Sequence, residues 1–299
     1  MSHRMDCPSG FVFSTRTMAV SELVAAAEAY QQNDHDAGLT RIINQCWEDL
    51  VEPGPYKLQP GTKPDWNKIL DGDAIVATLK MRRPALGPMV PLNFTCEHCG
   101  RRQPDFINVD IDTFVIKPVP EATLEAVRTG RPLVATMLDG SKVHYHPNFI
   151  GQLSKLAAAK KQRQKKLSPD KAKRALRAQP YDFLIKQPTH VEALGDKADD
   201  ILARFEWAET MPLPEFYNLQ EQMSAAEGGV DLSVDATCQH TNCEFEQENL
   251  VLPLHGAFWR KAKPKATEME PEDKEPEKTP PPAASALEVP VETPTTKVA

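Results

Sequence analysis

No apolar run in this 299-residue chain approaches the ~18 residues that a membrane span needs, and Ala74–Leu79 is typical of the longest. Met1–Gly10 is polar and lacks the apolar stretch of a signal peptide, so export is not expected. Cysteine is sparse: six in all, too few to staple a chain of this size through disulfides. Missing too are a phosphate-cradling glycine loop, a G-x-S-x-G elbow, an H-E-x-x-H helix and a dinucleotide fingerprint, so the expectation is a protein that is not an enzyme. Positive charge is in deficit, with 35 Lys and Arg against 42 Asp and Glu and a net charge of −7. The molecule as a whole is not built to attract nucleic acid.

What is present is uneven. Ten Lys or Arg and the single acid Asp170 lie between Lys155 and Arg177, in a run read as a broken or hairpinned pair of helices restarted at Ser168-Pro169-Asp170. The default reading of such a run is a solvated face. An acidic protein surface or a phosphate backbone are the functional alternatives, although no aromatic residue interleaves it to stack on bases. From Lys261 to Ala299 there are eight prolines and no aromatic residue, a composition that cannot bury enough apolar surface to order itself.

The N-terminal part reads as mostly helical. Ala19–Gln32 is rich in Ala, Leu and Glu, and Leu39, Ile42, Ile43, Cys46, Trp47 and Leu50 form one stripe of a helix over Leu39–Val51. Asp73 is placed to cap a helix over Ala74–Arg82 that Pro84 stops. Asp71-Gly72-Asp73 is not a calcium loop, because its twelfth position is Arg82 where a bidentate Glu is required. Strands are expected at Val90–Thr95, Phe106–Val115, Leu133–Leu138 and Lys142–His146, the last two joined by the hairpin pair Asp139-Gly140. His144 and His146 share a strand face but have no third ligand beside them in sequence. Helices follow at Val191–Thr210 and Glu215–Ala226, and strands return after Gly228-Gly229.

Four cysteines carry the chemistry. Cys96 and Cys99 form a C-x2-C turn after one strand, and Cys238 and Cys243 form a C-x4-C turn after another. Two strand-flanked knuckles, each offering two thiolates, are the plan of a zinc ribbon with a tetrahedral Zn²⁺. The 138 residues from Gly100 through Thr237 cost about 5 kcal/mol to close as a loop, and structural zinc contributes about 10–16 kcal/mol. The metal wins that comparison. Four thiolates leave no open coordination position, so the zinc is expected to be structural. A redox dithiol is the competing reading, but Gly100, Arg101, Arg102 and Pro104 make a poor helix start after the C-x2-C. His98 or His240 could replace one sulfur. Cys7 and Cys46 read as buried apolar side chains.

The expected fold class is therefore α+β. Residues 1–85 form an N-terminal helical region, and 86–118 with 229–260 form a ribbon-like β core. Residues 119–228 are a mainly helical insertion with a hairpin and the basic helices, and 261–299 a disordered tail.

The order of features resembles the T4-like bacteriophage baseplate proteins linked to baseplate hub assembly. The resemblance runs from about Cys7 to Lys261. It is carried by Pro8-Ser9-Gly10-Phe11, Ile42-Ile43-x-x-Cys46, Asp73-x5-Leu79-x2-Arg82 and Phe94-Thr95-Cys96-x2-Cys99-Gly100. The acidic strand Asn108–Asp112, the second knuckle and Leu252-Pro253-Leu254-x3-Phe258-Trp259 complete it. The C-x4-C spacing, the long basic helical pair and the proline-rich tail depart from that family's pattern. The resemblance implies a non-enzymatic tail protein that helps to build the baseplate hub in the host cytoplasm, or resides in the virion's tail baseplate. Its implied partners are baseplate hub and tail proteins, the tape-measure protein among them. A nucleic-acid-binding zinc ribbon using Lys155 to Arg177 is the alternative.

Overall fold

The computed structural model describes residues 2–31, 35–111, 114–150, 189–198, 200–252, 254 and 256–259. All lie in the first of two units, Met1–Ala262; the second, Lys263–Ala299, carries most of the proline-rich tail and lies outside the described residues. The basic run Lys155–Arg177 lies outside them too. What is described is an α+β fold of helices and small antiparallel sheets.

The N-terminal part contains a sheet that the helical reading did not anticipate. Strands β1 (Ser2–Asp6), β2 (Phe11–Arg16) and β3 (Trp47–Pro53) form an antiparallel sheet in that order, with helices α1 (Val20–Gln31) and α2 (His35–Cys46) between β2 and β3. The stripe expected to run on to Val51 stops at Cys46, and Trp47 and Leu50 instead lie on a strand bulged against β2. Aromatic packing explains this. Phe11 and Phe13, two apart on β2, both face inward, and Trp47 stacks on Phe13 at 4.9 Å between ring centres. Tyr56 and Trp66 close the cluster edge-on against Phe11 and Phe13.

Helix α1 is held at its start by a buried carboxylate. Glu22 accepts from the Ala19 backbone N–H at 2.5 Å and from Ser21, and its other contacts are a two-pronged pair with Arg16 at 2.8 and 3.3 Å. The Arg16 bonds lower Glu22 to about 2 from 4.5, the Ala19 and Ser21 bonds add to this, and burial opposes it. A depressed carboxylate stabilises the fold above its unfolded value and loses that contribution as pH falls through its folded value. Glu22→Gln is therefore expected to lower the urea midpoint at neutral pH. The difference from wild type should shrink as pH drops from 4.5 toward about 2; a pH-independent difference would contradict it.

Helix α3 (Asp71–Leu86) begins earlier and ends later than the sequence suggests. Leu70, not Asp73, is its cap, because the Asp73 side chain turns inward. It accepts from Ser9 Oγ at 2.5 Å, from the Ser9 N–H at 3.1 Å and from Tyr56 Oη at 2.6 Å, tying the β1–β2 turn to the helix. Pro84 sits one turn from the end, where its missing N–H forfeits a single helical bond, and Gly87 at φ 79° terminates the helix.

Two hairpins form, and the return strand of the first begins before and ends well short of the expected Phe106–Val115. β4 (Met89–Thr95) pairs with β5 (Arg102–Asn108), and the late pair β11 (Ser233–Thr237) and β12 (Glu246–Val251) forms a second two-stranded sheet. The insertion between them leaves through β6 (Ile116–Lys117) and returns through β10 (Gly229–Val230), which pair with each other. Its two ends are thus pinned side by side, which offsets part of the loop-closure cost before any metal is bound.

Within the insertion, α4 (Glu121–Thr129) precedes the sheet β7 (Leu133–Thr136), β8 (Lys142–Tyr145) and β9 (Thr189–Val191). Helices α5 (Ile201–Thr210) and α6 (Leu213–Ala225) complete it. Ala135, Val143, Tyr145, Phe216, Leu219 and Met223 belong to a core of its own, separate from the one shared by the N-terminal sheet and the hairpins. Gln222 covers the open edge of β7, accepting from Thr136 N–H at 3.0 Å and donating to its carbonyl at 2.8 Å.

Helix α3 meets the return strand across glycines. A β-carbon on Gly72 would stand 2.4 Å from the Gly228 carbonyl oxygen, a backbone atom that cannot swing aside. Gly72→Ala is expected to cost about 2–3 kcal/mol through overpacking, read as a lowered urea midpoint at an unchanged slope. Wild-type stability for this variant would contradict the close approach.

Candidate metal centre

Each knuckle is a strand, a turn and a strand. In the first, Cys96 N–H bonds to the Arg101 carbonyl at 3.0 Å and Gly100 N–H to the Cys96 carbonyl at 2.8 Å. Gly100 has φ 69°, the left-handed geometry that favours glycine. In the second, Cys238 N–H bonds to the Phe245 carbonyl at 2.8 Å. Both closing bonds reach the residue two past the second cysteine, so the two extra residues of the C-x4-C are absorbed inside the turn. Asn242 at φ 79° and Glu244 at φ 44° provide the left-handed backbone there.

The hairpins face each other with their sulfurs together. Cys96 Sγ lies 3.8 Å from Cys243 Sγ, and Cys99 Sγ lies 3.7 Å from Cys238 Sγ. All four lie within 4.8 Å of one another, and none is in a disulfide. Tetrahedral coordination with metal–sulfur bonds of ~2.3 Å puts sulfurs about 3.8 Å apart, so the set fits a metal ion such as Zn²⁺. Among the described residues it is the cluster of metal-ligating side chains with this geometry.

The surroundings repeat with a two-fold plan. The residue after the first cysteine of each knuckle donates its N–H to a glutamine of the opposite hairpin. Glu97 N–H bonds to Gln247 Oε1 at 3.3 Å, and Gln239 N–H bonds to Gln103 Oε1 at 2.7 Å. Gln103 and Gln247 each stand four residues past the second cysteine of their own knuckle. Sequence reading missed these clasps, although the shared Cys-x3-Gln spacing was there to find. Gln239 Nε2 adds a bond to Asp105 at 3.0 Å.

The thiols do not ionise alike. Burial is the largest influence on Cys238 and would raise it. Bonds from Gln103, the His240 backbone and the neighbouring thiols outweigh burial and bring it below the usual thiol value. On Cys243 the Phe245 backbone bond favours the thiolate, but burial and the other sulfurs hold its proton well above that value. Four clustered thiols cannot all ionise unaided, and a divalent cation removes the conflict.

The other candidates fall outside the cluster. His98 stacks on Phe245 at 5.6 Å and places Nδ1 3.5 Å from Cys243 Sγ, beside the four sulfurs and not in place of one. His240 contacts Arg101. His144 meets Glu192 at 2.7 Å, and β8 ends before His146. Cys7 and Cys46 are buried, and burial pushes both thiols up, Cys46 to about 11. A strand, not a helix, follows the C-x2-C, the opposite of a redox dithiol's setting.

Compared with known proteins, the chain matches no family model, no curated protein and no solved structure.

Proposed function

We propose that the protein is a non-catalytic assembly factor. In this reading its two hairpins form a zinc ribbon around a structural Zn²⁺ held by Cys96, Cys99, Cys238 and Cys243. The observation that carries the proposal is the convergence of four sulfurs from knuckles far apart in the chain. A centre closed by four thiolates offers no position for substrate or water, so the ion staples the fold and leaves chemistry to none of its ligands.

The assembly role, at the baseplate hub of a phage tail in the infected cell, rests on the resemblance in feature order alone. The nucleic-acid reading has less behind it. The two hairpins carry Arg101 and Arg102 against six carboxylates (Glu97, Asp105, Asp235, Glu244, Glu246 and Glu248), a surface that repels a phosphate backbone.

The test is elemental analysis of the purified full chain together with co-purification against hub, tail and tape-measure proteins. One zinc per chain and a stable complex with a tail component is the expected result. A zinc-free folded protein overturns the metal reading. A zinc-bearing one that ignores every tail component but binds DNA or RNA at low salt overturns the assembly reading.

A further inference from the structure

The two glutamine clasps around the sulfurs match at the backbone and part ways in their side chains. Gln247 uses both ends of its amide on one residue. Its Oε1 accepts from the Glu97 N–H at 3.3 Å, and its Nε2 donates to the Glu97 carboxylate at 3.4 Å. The matching place in the second knuckle holds Gln239, whose own side chain is bonded to Asp105 at 3.0 Å. Where Gln247 meets a carboxylate, Gln103 meets an amide already engaged elsewhere.

Gln103 is the informative residue. Its Oε1 accepts from the Gln239 N–H at 2.7 Å, which fixes the amide orientation, because a backbone N–H can only donate. Its Nε2 is buried and completes no hydrogen bond. A buried N–H left unmatched is costly, so this one calls for an acceptor. The acceptor within its reach is the sulfur of Cys238, the residue next to Gln239. Burial would raise that thiol, and Gln103 is the first of the groups that bring it down. A neutral thiol is a weak acceptor, whereas a charged thiolate takes an N–H well, and a metal ion demands the thiolate. At the mirrored place the Gln247 amide turns to Glu97 and not to Cys96.

We infer that Gln103 is a positioning residue of the metal centre, donating its side-chain N–H to the Cys238 thiolate of the loaded site. The two knuckles then grip the ion unequally, the second more firmly than the first. This inference rests on the zinc reading above, and Gln247 serves as its built-in control.

The test loads the full chain with Co²⁺ and compares Gln103→Met with Gln247→Met. Both variants lose the clasp on a backbone N–H, so a purely structural effect is common to them; only the first also loses a donor to sulfur. Groups that hydrogen-bond a metal's ligands are worth about 10–100-fold in affinity. Gln103→Met is expected to weaken binding at least about tenfold more than Gln247→Met, measured by competition with a chelating dye. Its sulfur-to-cobalt charge-transfer band should also move to longer wavelength, because a thiolate relieved of its hydrogen bond gives up charge more easily. The band of Gln247→Met should stay at the wild-type position. Equal affinities or equal band positions in the two variants overturn the inference. If Gln103→Met does not fold, the wild-type chain loaded with NMR-active cadmium decides. Coupling from the metal through sulfur to the Gln103 side-chain N–H is expected, and its absence overturns the inference. A wild-type chain with no sulfur-to-cobalt band overturns the metal reading itself, which separates the two failures.

Discussion

Cys96→Ser and Cys243→Ser are each expected to lose the bound zinc and at least about 4 kcal/mol of stability, whereas Cys7→Ser should cost under about 1 kcal/mol. The asymmetry follows from what each thiol touches. Cys96 and Cys243 are neighbours in the cluster, 3.8 Å apart on opposite hairpins, so either loss opens one corner of the same tetrahedron. Serine is a poor ligand, and the three remaining thiols would be left crowded without the ion that makes their ionisation tolerable. Cys7 lies outside the cluster, with Sγ 3.6 Å from the Asp73 carbonyl, a contact that a serine hydroxyl can also make. For a chain of this size the expected loss corresponds to a fall in melting temperature of roughly 8–16 °C, taking ~2–4 °C per kcal/mol. Differential scanning calorimetry with elemental analysis of the three variants is the measurement. Equal melting temperatures and equal zinc would remove the metal centre from the account.

The cysteine cluster was legible in the sequence because its signal is local: two cysteines a turn apart, each pair between strands. The expected strands at Val90–Thr95 and around the Asp139-Gly140 turn appear as β4 and as the β7–β8 hairpin for the same reason. What escaped depends on partners distant in the chain. Trp47 and Leu50 continue the helical stripe of Ile42, Ile43 and Cys46, and over so short a stretch helix and strand periods agree equally well. The choice is made by Phe13 and Leu50 meeting across β2 and β3, a pairing that no window around residue 47 contains. Asp73 is a similar case. Its position before an apolar run looks like a cap, but Ser9 and Tyr56 approach from elsewhere and draw the carboxylate inside. The basic run and the proline-rich tail, both prominent in the sequence, lie outside the described residues.

The motifs that carry the family resemblance turn out to be the ones that hold the fold together. Ser9 and Asp73 bond to each other, Ile42, Ile43 and Cys46 are fully buried, and Arg82 reaches Phe258. Such residues hold this chain's own fold together and do not select a partner. This is why the assembly proposal needs co-purification to decide it, while the metal proposal can be decided on the isolated chain.

Arg82 gives the second large effect. It is 0% exposed, and its guanidinium donates to three backbone carbonyls: Phe258 at 2.8 Å, Met89 at 2.7 Å and Gly87. Its charge also lies 5.4 Å from the Phe258 ring centre. One side chain thereby joins the end of α3, the start of β4 and the closing turn Gly256–Trp259, a link across 176 residues. Burial lowers its pKa to about 10, which still leaves it charged at neutral pH. Arg82→Met keeps much of the volume and removes every donor. Each orphaned carbonyl costs about 1–3 kcal/mol, so a loss of about 3–5 kcal/mol is expected. Arg82→Lys should recover only part of it, because a single ammonium cannot reproduce the planar fork that reaches three acceptors. The closing turn should loosen first. Trp259, 8% exposed with Nε1 bonded to the Leu254 carbonyl at 3.1 Å, provides the optical probe. In Arg82→Met its emission should shift red, and proteolysis should remove the C-terminal segment before the hairpins are cut and before zinc is released. Simultaneous loss of zinc and of the closing turn would show instead that the two halves of the core unfold as one piece, and the separate role given to Arg82 would fail.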